Sequence, residues 1–283
     1  MIPHSLHILR KTFSHKSKSG SLTLHTTLNN PKDLLRQAQI LLTERKSTGQ
    51  RVTGNIPDAS QPLFFKSSTI KGWKSKTRMT LGLQRAAKHG GGYDWPLEEL
   101  LNSIHANTLG LPTAQIFGFG YRRHHLGWIE EFFMITELLG PYVNGRDWLE
   151  AIDNKAEDFV NHAARLILLL HDHNVIHLDP WTANFMINHN DPGDLRIIDL
   201  ENCILAPTRH LEETLGIQLG ILFKETYPYI TEQAFDKIVQ TAIDKSGRCC
   251  GARFRQAYRM AKNQNIARKA RRKISLSGLE API

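Results

Sequence analysis

The loop His177-Leu178-Asp179-Pro180-Trp181-Thr182-Ala183-Asn184 sets an acid and an amide five positions apart (184 − 179). Apolar Phe185-Met186-Ile187 follows, then the polar turn Asp191-Pro192-Gly193-Asp194, then Leu195-Arg196-Ile197-Ile198 and a second acid, Asp199. Strand, turn and strand predict a hairpin, which returns Asp199 to the side of Asp179 and Asn184. Two carboxylates and an amide oxygen gathered in this way suit transfer of a phosphoryl group from ATP. One carboxylate accepts or orients the proton of an attacking hydroxyl, while the amide oxygen and the other carboxylate hold Mg²⁺ on the phosphates. The same residues fit a plain β-hairpin in which Asn184 and Asp199 are turn or cap residues. The preceding His and the closing acid favour the chemical reading.

Other segments must position that loop. Asn30-Pro31 predicts a helix start, with Leu34, Leu35, Ala38, Leu41 and Leu42 on its apolar face. Short β-rich stretches follow, Gly49 to Ile56 and then Pro62-Leu63-Phe64-Phe65-Lys66, the latter an apolar strand ending in a lysine. A basic linker, Lys71 to Lys88, leads to the break Gly90-Gly91-Gly92. Asp94-Trp95-Pro96 opens a helix whose buried stripe is Leu97, Leu100, Leu101 and Ile104. Beyond Gly110-Leu111-Pro112-Thr113 come strands from Ala114 to Tyr121 and from Glu130 to Leu138, then a helix from Ala156 to Asn174. A β-rich half with one central helix, followed by a mainly helical half, predicts a two-lobed α+β protein.

At 283 residues the chain is long enough for two such lobes. Cys203, Cys249 and Cys250 form no C-x-x-C pair and no disulfide framework, which fits a reducing, cytoplasmic compartment. The first nineteen residues carry Arg10, Lys11, Lys16 and Lys18 without the apolar core of a signal peptide, and no apolar run reaches membrane-spanning length. The formal charge of +9 is concentrated: Lys245 to Lys273 holds eleven Lys and Arg and no acid, leaving 36 − 11 = 25 basic against 27 acidic residues elsewhere.

With these elements in order, the chain resembles the protein-kinase-like superfamily, and within it the bacterial lipopolysaccharide core kinases of the Kdo/heptose kinase group. The residues that carry the resemblance are His-x-Asp with its spaced Asn, Asp199-Leu200-Glu201 in place of Asp-Phe-Gly, Gly110-Leu111-Pro112-Thr113, and Met134-Ile135-Thr136-Glu137-Leu138-Leu139 as the hinge. The resemblance implies a two-lobed kinase-like fold. Residues 41–139 would be the N-lobe, 140–245 the C-lobe, 1–40 an N-terminal extension and 246–283 a basic tail. It implies Asp179 as catalytic base, Asn184 and Asp199 as Mg²⁺ ligands, and Lys66 as the contact to the ATP phosphates. Backbone groups of Glu137 to Leu139 would meet the adenine. The partner of Lys66 is Glu98 or Glu99. Glu98 lies about 100° round the helix from the buried stripe and can lean toward the cleft, whereas Glu99, about 200° round, faces water. Counting back from Gly110 favours Glu99, but the side that leans toward the cleft makes Glu98 the expected partner.

The departures also inform. No Gly-rich phosphate loop is evident, Ser47-Thr48-Gly49-Gln50 being the best candidate, and Gly118-x-Gly120 reads as a strand turn. No Walker A sequence occurs. Leu178 replaces the arginine that grips a phosphorylated activation loop, no Ala-Pro-Glu follows Asp199, and Trp181 stands where protein kinases carry a lysine. Glu201 takes the place of a glycine. A non-protein acceptor is therefore expected, such as a sugar of a glycolipid. His171, His173 and His177 lack the spacing of a zinc site, and His177 reads as a brace for the loop. The basic tail 245–273 could meet anionic lipid headgroups or RNA, or lie in solvent. Two rival classes stand beside the kinase: a nucleotide-binding pseudokinase or regulator, and an RNA-associated ATPase or kinase of the Bud32 type.

Overall fold

Two helices cover opposite faces of one β-sheet in the first part of the chain, and the strands show why. The computed structural model describes residues 9, 11–44, 51–57, 61–83, 95–151, 155–248 and 251–279. The Ser47-to-Gln50 segment, the triple glycine at 90–92 and Cys249-Cys250 lie outside them. In chain order the elements are β1 (His15–Ser19), β2 (Leu22–Thr26), α1 (Pro31–Thr43), β3 (Arg51–Ile56), β4 (Leu63–Thr69), α2 (Trp73–Leu81), α3 (Trp95–Thr108), β5 (Ile116–Arg123) and β6 (Ile129–Glu137). There follow β7 (Tyr142–Asn144), α4 (Gly145–Ala151), α5 (Ala156–Asp172), β8 (Val175–His177), β9 (Phe185–Asn188), β10 (Leu195–Ile197), β11 (Cys203–Leu205), α6 (Leu211–Thr226), α7 (Glu232–Lys245), α8 (Ala252–Asn263) and α9 (Arg268–Ser277). They divide into two units, one of residues 1–108 and 114–140, the other of 109–113 and 141–283. The first is β-rich and the second mainly helical, the expected α+β composition.

The first unit is a six-stranded antiparallel sheet in the order β1-β2-β5-β6-β4-β3. Successive side chains of a strand face opposite sides, so adjacent residues of β6 enter different cores. Phe133 and Ile135 pack with Leu63 and Phe65 of β4, Leu22 and Leu24 of β2, and Leu34, Leu35, Ala38 and Leu42 of α1. Phe132 and Met134 pack on the other face with Ile116, Phe119 and Leu97 and Leu100 of α3. The glycines of Gly118-x-Gly120 lie within β5 rather than in a turn. A Cβ at Gly120 would meet the Phe133 ring at 2.0 Å, so the absence of a side chain there makes room for the core. Residues 1–40, expected as an extension, supply β1 and β2 to this sheet. Ser19 pairs with Leu22 across the two-residue turn Gly20-Ser21, and Gly20 takes the positive φ of 56° that such a turn demands. The basic stretch after Ile70, expected as a linker, is helical over α2.

In the second unit the predicted hairpin forms, with Leu195, Arg196 and Ile197 opposite Ile187, Met186 and Phe185. Strand β7 extends it on the β9 side. The Gly110-Leu111-Pro112-Thr113 turn is tied to its other strand: Ile197 N–H donates to the Pro112 carbonyl at 2.9 Å, and Thr113 bridges Ile197 in parallel. Behind the hairpin, Phe159 of α5 meets Phe185 edge-on.

The segment expected as a basic tail folds as helices. Helix α8 lies so close to α6 that glycines are required: a Cβ at Gly216 would meet the Phe254 carbonyl at 2.7 Å, and one at Gly220 the Ala261 Cβ at 2.6 Å. Its Lys262 is buried, bridging Glu232 (2.7 Å) and Asp236 (2.6 Å) over the Phe223 and Tyr258 rings. Helix α9 is seated through Ile274 beside Ile217 and Ile221, and through Leu276 beside Ile176 and Leu178.

Candidate active site

In the first unit, Lys66 occupies the middle of β4 and points away from the Leu63–Phe65 face, because the strand alternates. Its Nζ lies 2.6 Å from Glu99 Oε1. The partner is therefore Glu99, not Glu98. The expectation that Glu99 faces water fails because α3 buries more than its leucine stripe. Glu98, Glu99, Asn102, Ser103 and Ala106 are buried as well as Leu97 and Leu100. A helix with one apolar and one buried polar face gives a sequence pattern in which the polar face looks solvated. At the expected hinge, Glu137 N–H donates to the Gln115 carbonyl (2.8 Å) and Leu138 N–H to the Pro62 carbonyl (3.1 Å). Leu139 keeps an N–H with no acceptor among the described residues.

In the second unit, the 177–199 loop is braced from behind by His177, which has no exposed surface. Asp179 N–H donates to its Nδ1 at 3.2 Å, which leaves Nε2 to carry the proton and donate to the Ile198 carbonyl, also at 3.2 Å. One imidazole thus ties the Asp179 loop to the residue before Asp199. Burial pushes its pKa below the ordinary histidine value and keeps it neutral. Gln218 of α6 supports the arrangement, donating to the His177 carbonyl (2.8 Å) and accepting from His171 Nε2 (2.6 Å). Both histidines are engaged in hydrogen bonds.

Asn184 donates its amide N–H to the Asp179 carbonyl at 2.8 Å, which turns the amide oxygen the other way. Ile198 N–H donates to the Asn184 carbonyl at 2.9 Å, so the residues flanking Asp199 and Asn184 are stitched together. Asp199 adopts the left-handed conformation, φ 61° and ψ 51°. Aspartate tolerates that region better than most residues, and the turn keeps its geometry although Glu201 replaces the expected glycine. Asp179, Asn184 and Asp199 are thus held in one loop-and-hairpin unit. Two oxygen donors of this kind, an amide and a carboxylate, suit a hard divalent cation such as Mg²⁺.

A further group that no sequence motif marks lies beside Asp179. Asp179 is 1% exposed, and its carboxylate faces two arginines of α9: Arg271 Nη2 lies 2.6 Å from Oδ1 and Arg268 Nε 2.8 Å from Oδ2. Arg268 also donates to Glu201 Oε1 at 2.5 Å. Burial works against the charge of Arg268, but Asp179, Glu201 and Asp199 outweigh it and hold its pKa above the usual guanidinium value. For Arg271 burial prevails and the pKa is lowered, Asp179 pulling the other way. The signal for these contacts was the excess charge of residues 245–273 beside a body with a slight excess of acid. Charge count alone does not pair Arg268 with an acid 89 positions earlier (268 − 179).

Residues 71–224 match the family described as Lipopolysaccharide core biosynthesis protein (WaaY). The matched span includes Glu99, Asp179, Asn184 and Asp199 and excludes Lys66 and α9. Among curated proteins nothing matches. A solved structure of WaaP in complex with acyl carrier protein is similar at 15% identity and a TM-score of 0.47, over 71% of this chain and 77% of that one. More than half of the sequence thus falls within the family match, and the chain belongs to the WaaY family of lipopolysaccharide core kinases, which are phosphotransferases.

Proposed function

We propose that the protein transfers the γ-phosphoryl group of ATP, with Mg²⁺, to a hydroxyl of a sugar in the lipopolysaccharide core. The observation that carries this reading is the stitching of Asp179, Asn184 and Asp199 into one rigid loop and hairpin. Asp179 is the base. The acceptor hydroxyl gives it a proton as its oxygen bonds to the γ-phosphorus, and the bond from that phosphorus to the β-phosphate oxygen breaks with its electron pair leaving on ADP. Asn184 and Asp199 would hold Mg²⁺, which supplies charge neutralisation on the phosphates. Lys66, oriented by Glu99, is the phosphate contact, and the backbone at Glu137 and Leu139 takes the adenine. ATP as donor supports a reaction at the cytoplasmic side, carried out by a protein peripheral to the inner membrane. None of the helices among the described residues is long and apolar enough to cross a bilayer.

Transfer of label from γ-labelled ATP to purified lipopolysaccharide core glycolipid tests the reading. Label should appear in the glycolipid only with Mg²⁺ and should be lost in Asp199→Ala. Label moving instead to RNA or protein, or transfer undiminished in the presence of a chelator, would refute it.

A further inference from the structure

The loop from His177 to Asn184 contains no lysine or arginine. A phosphoryl group in flight spreads negative charge over its oxygens, and enzymes that transfer it place fixed cations there besides the metal. In the second unit the cations that reach the candidate base come from α9, outside the matched family span. Resting on the reading of Asp179 as base, we propose that Arg268 is a catalytic residue that meets the charge of the transferring phosphoryl group, and that Arg271 is the positioning residue that holds Asp179.

The two arginines differ in ways that divide these tasks. Arg271 is 2% exposed and lies 5.1 Å from the centre of the Trp181 ring, and its Nε and Nη1 find no hydrogen-bond partner among the described residues. Walled in on these sides, it stays with Asp179 Oδ1. The Arg268 side chain is 55% exposed, and it reaches Asp179 and Glu201 by its flexible stem. Among the described residues, neither oxygen of Asp179 receives a well-directed hydrogen bond despite the short distances. When Arg268 swings away from Asp179 and Glu201, Asp179 keeps Arg271 as its buried partner and the exposed guanidinium of Arg268 gains water in exchange, so the buried carboxylate is not left unpaired.

Its location defines what it moves toward. A hydroxyl giving its proton to Asp179 sits about 3 Å from that carboxylate, and Arg268 already lies 2.8 Å from the same group. The attacking oxygen and its phosphorus thus come within the sweep of the guanidinium. As the acceptor hydroxyl displaces Arg268 from Asp179, the freed cation takes up the oxygens of the moving phosphoryl group. It forms no covalent bond and keeps its protons. The base is released by the same movement that supplies the charge.

The experiment measures steady-state transfer from Mg-ATP to core glycolipid for the wild type, Arg268→Ala, Arg268→Lys and Asp179→Asn, with each fold checked by thermal melting. Arg268→Ala should lower kcat at least a hundredfold, by the scale of arginines that serve phosphoryl transfer, with KM for ATP changed little. Lysine should restore part of the loss, and free guanidinium ion at millimolar concentration should raise the rate of the alanine variant. A kcat for Arg268→Ala within threefold of wild type, or above it, overturns the assignment, as does a low kcat that neither lysine nor guanidinium improves. If Asp179→Asn turns over like the wild type, the reading of the base fails instead; Asp179→Asn inactive with Arg268→Ala fully active sinks only the arginine.

Discussion

The loop and hairpin of residues 177–199 and the helices of residues 252–277 carry the two halves of one ion-pair system, yet only the first could be read from sequence. In the hairpin, every informative relation is local: Asp179 to Asn184, β9 to β10, Ile198 to His177. In α8 and α9 the informative relations join distant residues. Arg268 meets Asp179 and Glu201, Lys262 meets Glu232 and Asp236, and Arg253 meets Glu213. A run of cations therefore looks like a solvated or nucleic-acid-binding tail, when its partners are acids elsewhere in the same unit. Spacing is a one-dimensional signal, whereas charge pairing depends on the fold.

If the hairpin holds the chemistry and α9 holds the hairpin, removing each should cost differently. Asp179→Ala should slow turnover by roughly 10²–10⁴-fold, the range for general acid–base assistance, while the melting shift given by Mg-ATP persists. A variant that retains wild-type turnover would move the chemistry out of the hairpin. Arg271→Ala should cost roughly 3–5 kcal/mol of stability, since it strips a buried carboxylate of a buried partner. Urea denaturation measures this, and a loss below 1 kcal/mol would mean that α9 is only loosely seated.

The histidines behind the loop add a pH dependence of definite sign. Burial, opposed by the Gln218 hydrogen bond, lowers the pKa of His171 to about 4. In the unfolded chain it protonates near 6.5. Between those values the unfolded state takes up a proton that the folded state refuses, so stability falls as pH drops from 6.5 to about 4, by about 3 kcal/mol. Buried His177 acts in the same direction. Denaturation curves across that range should show the fall, and His171→Gln should flatten it. A wild-type stability that is level from pH 6.5 to 4 would rule out a neutral, buried His171.

A smaller effect separates a packed helix from a tail. Gly220→Ala puts a methyl 2.6 Å from the Ala261 Cβ and 2.7 Å from the Tyr258 carbonyl, and overpacking of this kind costs roughly 1–3 kcal/mol. In a helix interior exposed to solvent the same change would stabilise, by about 1 kcal/mol. The sign of the melting shift alone therefore decides whether α8 belongs to the unit.

Legibility varied even within the first unit, for reasons that particular residues explain. Leu63-Phe64-Phe65-Lys66 announced both strand and lysine because period-two burial leaves Lys66 on the face opposite Phe65. The β1–β2 hairpin is hard to read from sequence because His15-Lys16-Ser17-Lys18-Ser19 is polar throughout and exposed at the sheet edge, and the Gly20-Ser21 turn ahead of Leu22-Thr23-Leu24 is its one usable sign. The place of Glu99 escapes a helical wheel because a wheel reports hydrophobicity, whereas α3 buries carboxylates too.

That last case leads to the finest prediction. Glu98 and Glu99 are both buried, at 4% and 5% exposure, so burial does not choose between them. Geometry does, with Lys66 Nζ 2.6 Å from Glu99 and the Lys66 and Glu99 side chains 16% and 7% exposed. Low exposure removes most of the water that screens a surface pair, and residues in direct contact couple by roughly 0.5–3 kcal/mol in a double-mutant cycle. The pair keeps some solvent at the lysine, so a coupling of about 1 kcal/mol is expected for Lys66→Met with Glu99→Gln, read from urea denaturation. The same cycle with Glu98→Gln should give a smaller coupling. Equal couplings would mean that Lys66 is shared between the two carboxylates, and a larger one for Glu98 would reverse the assignment. Only the second result would return α3 to the orientation that its leucine stripe suggests.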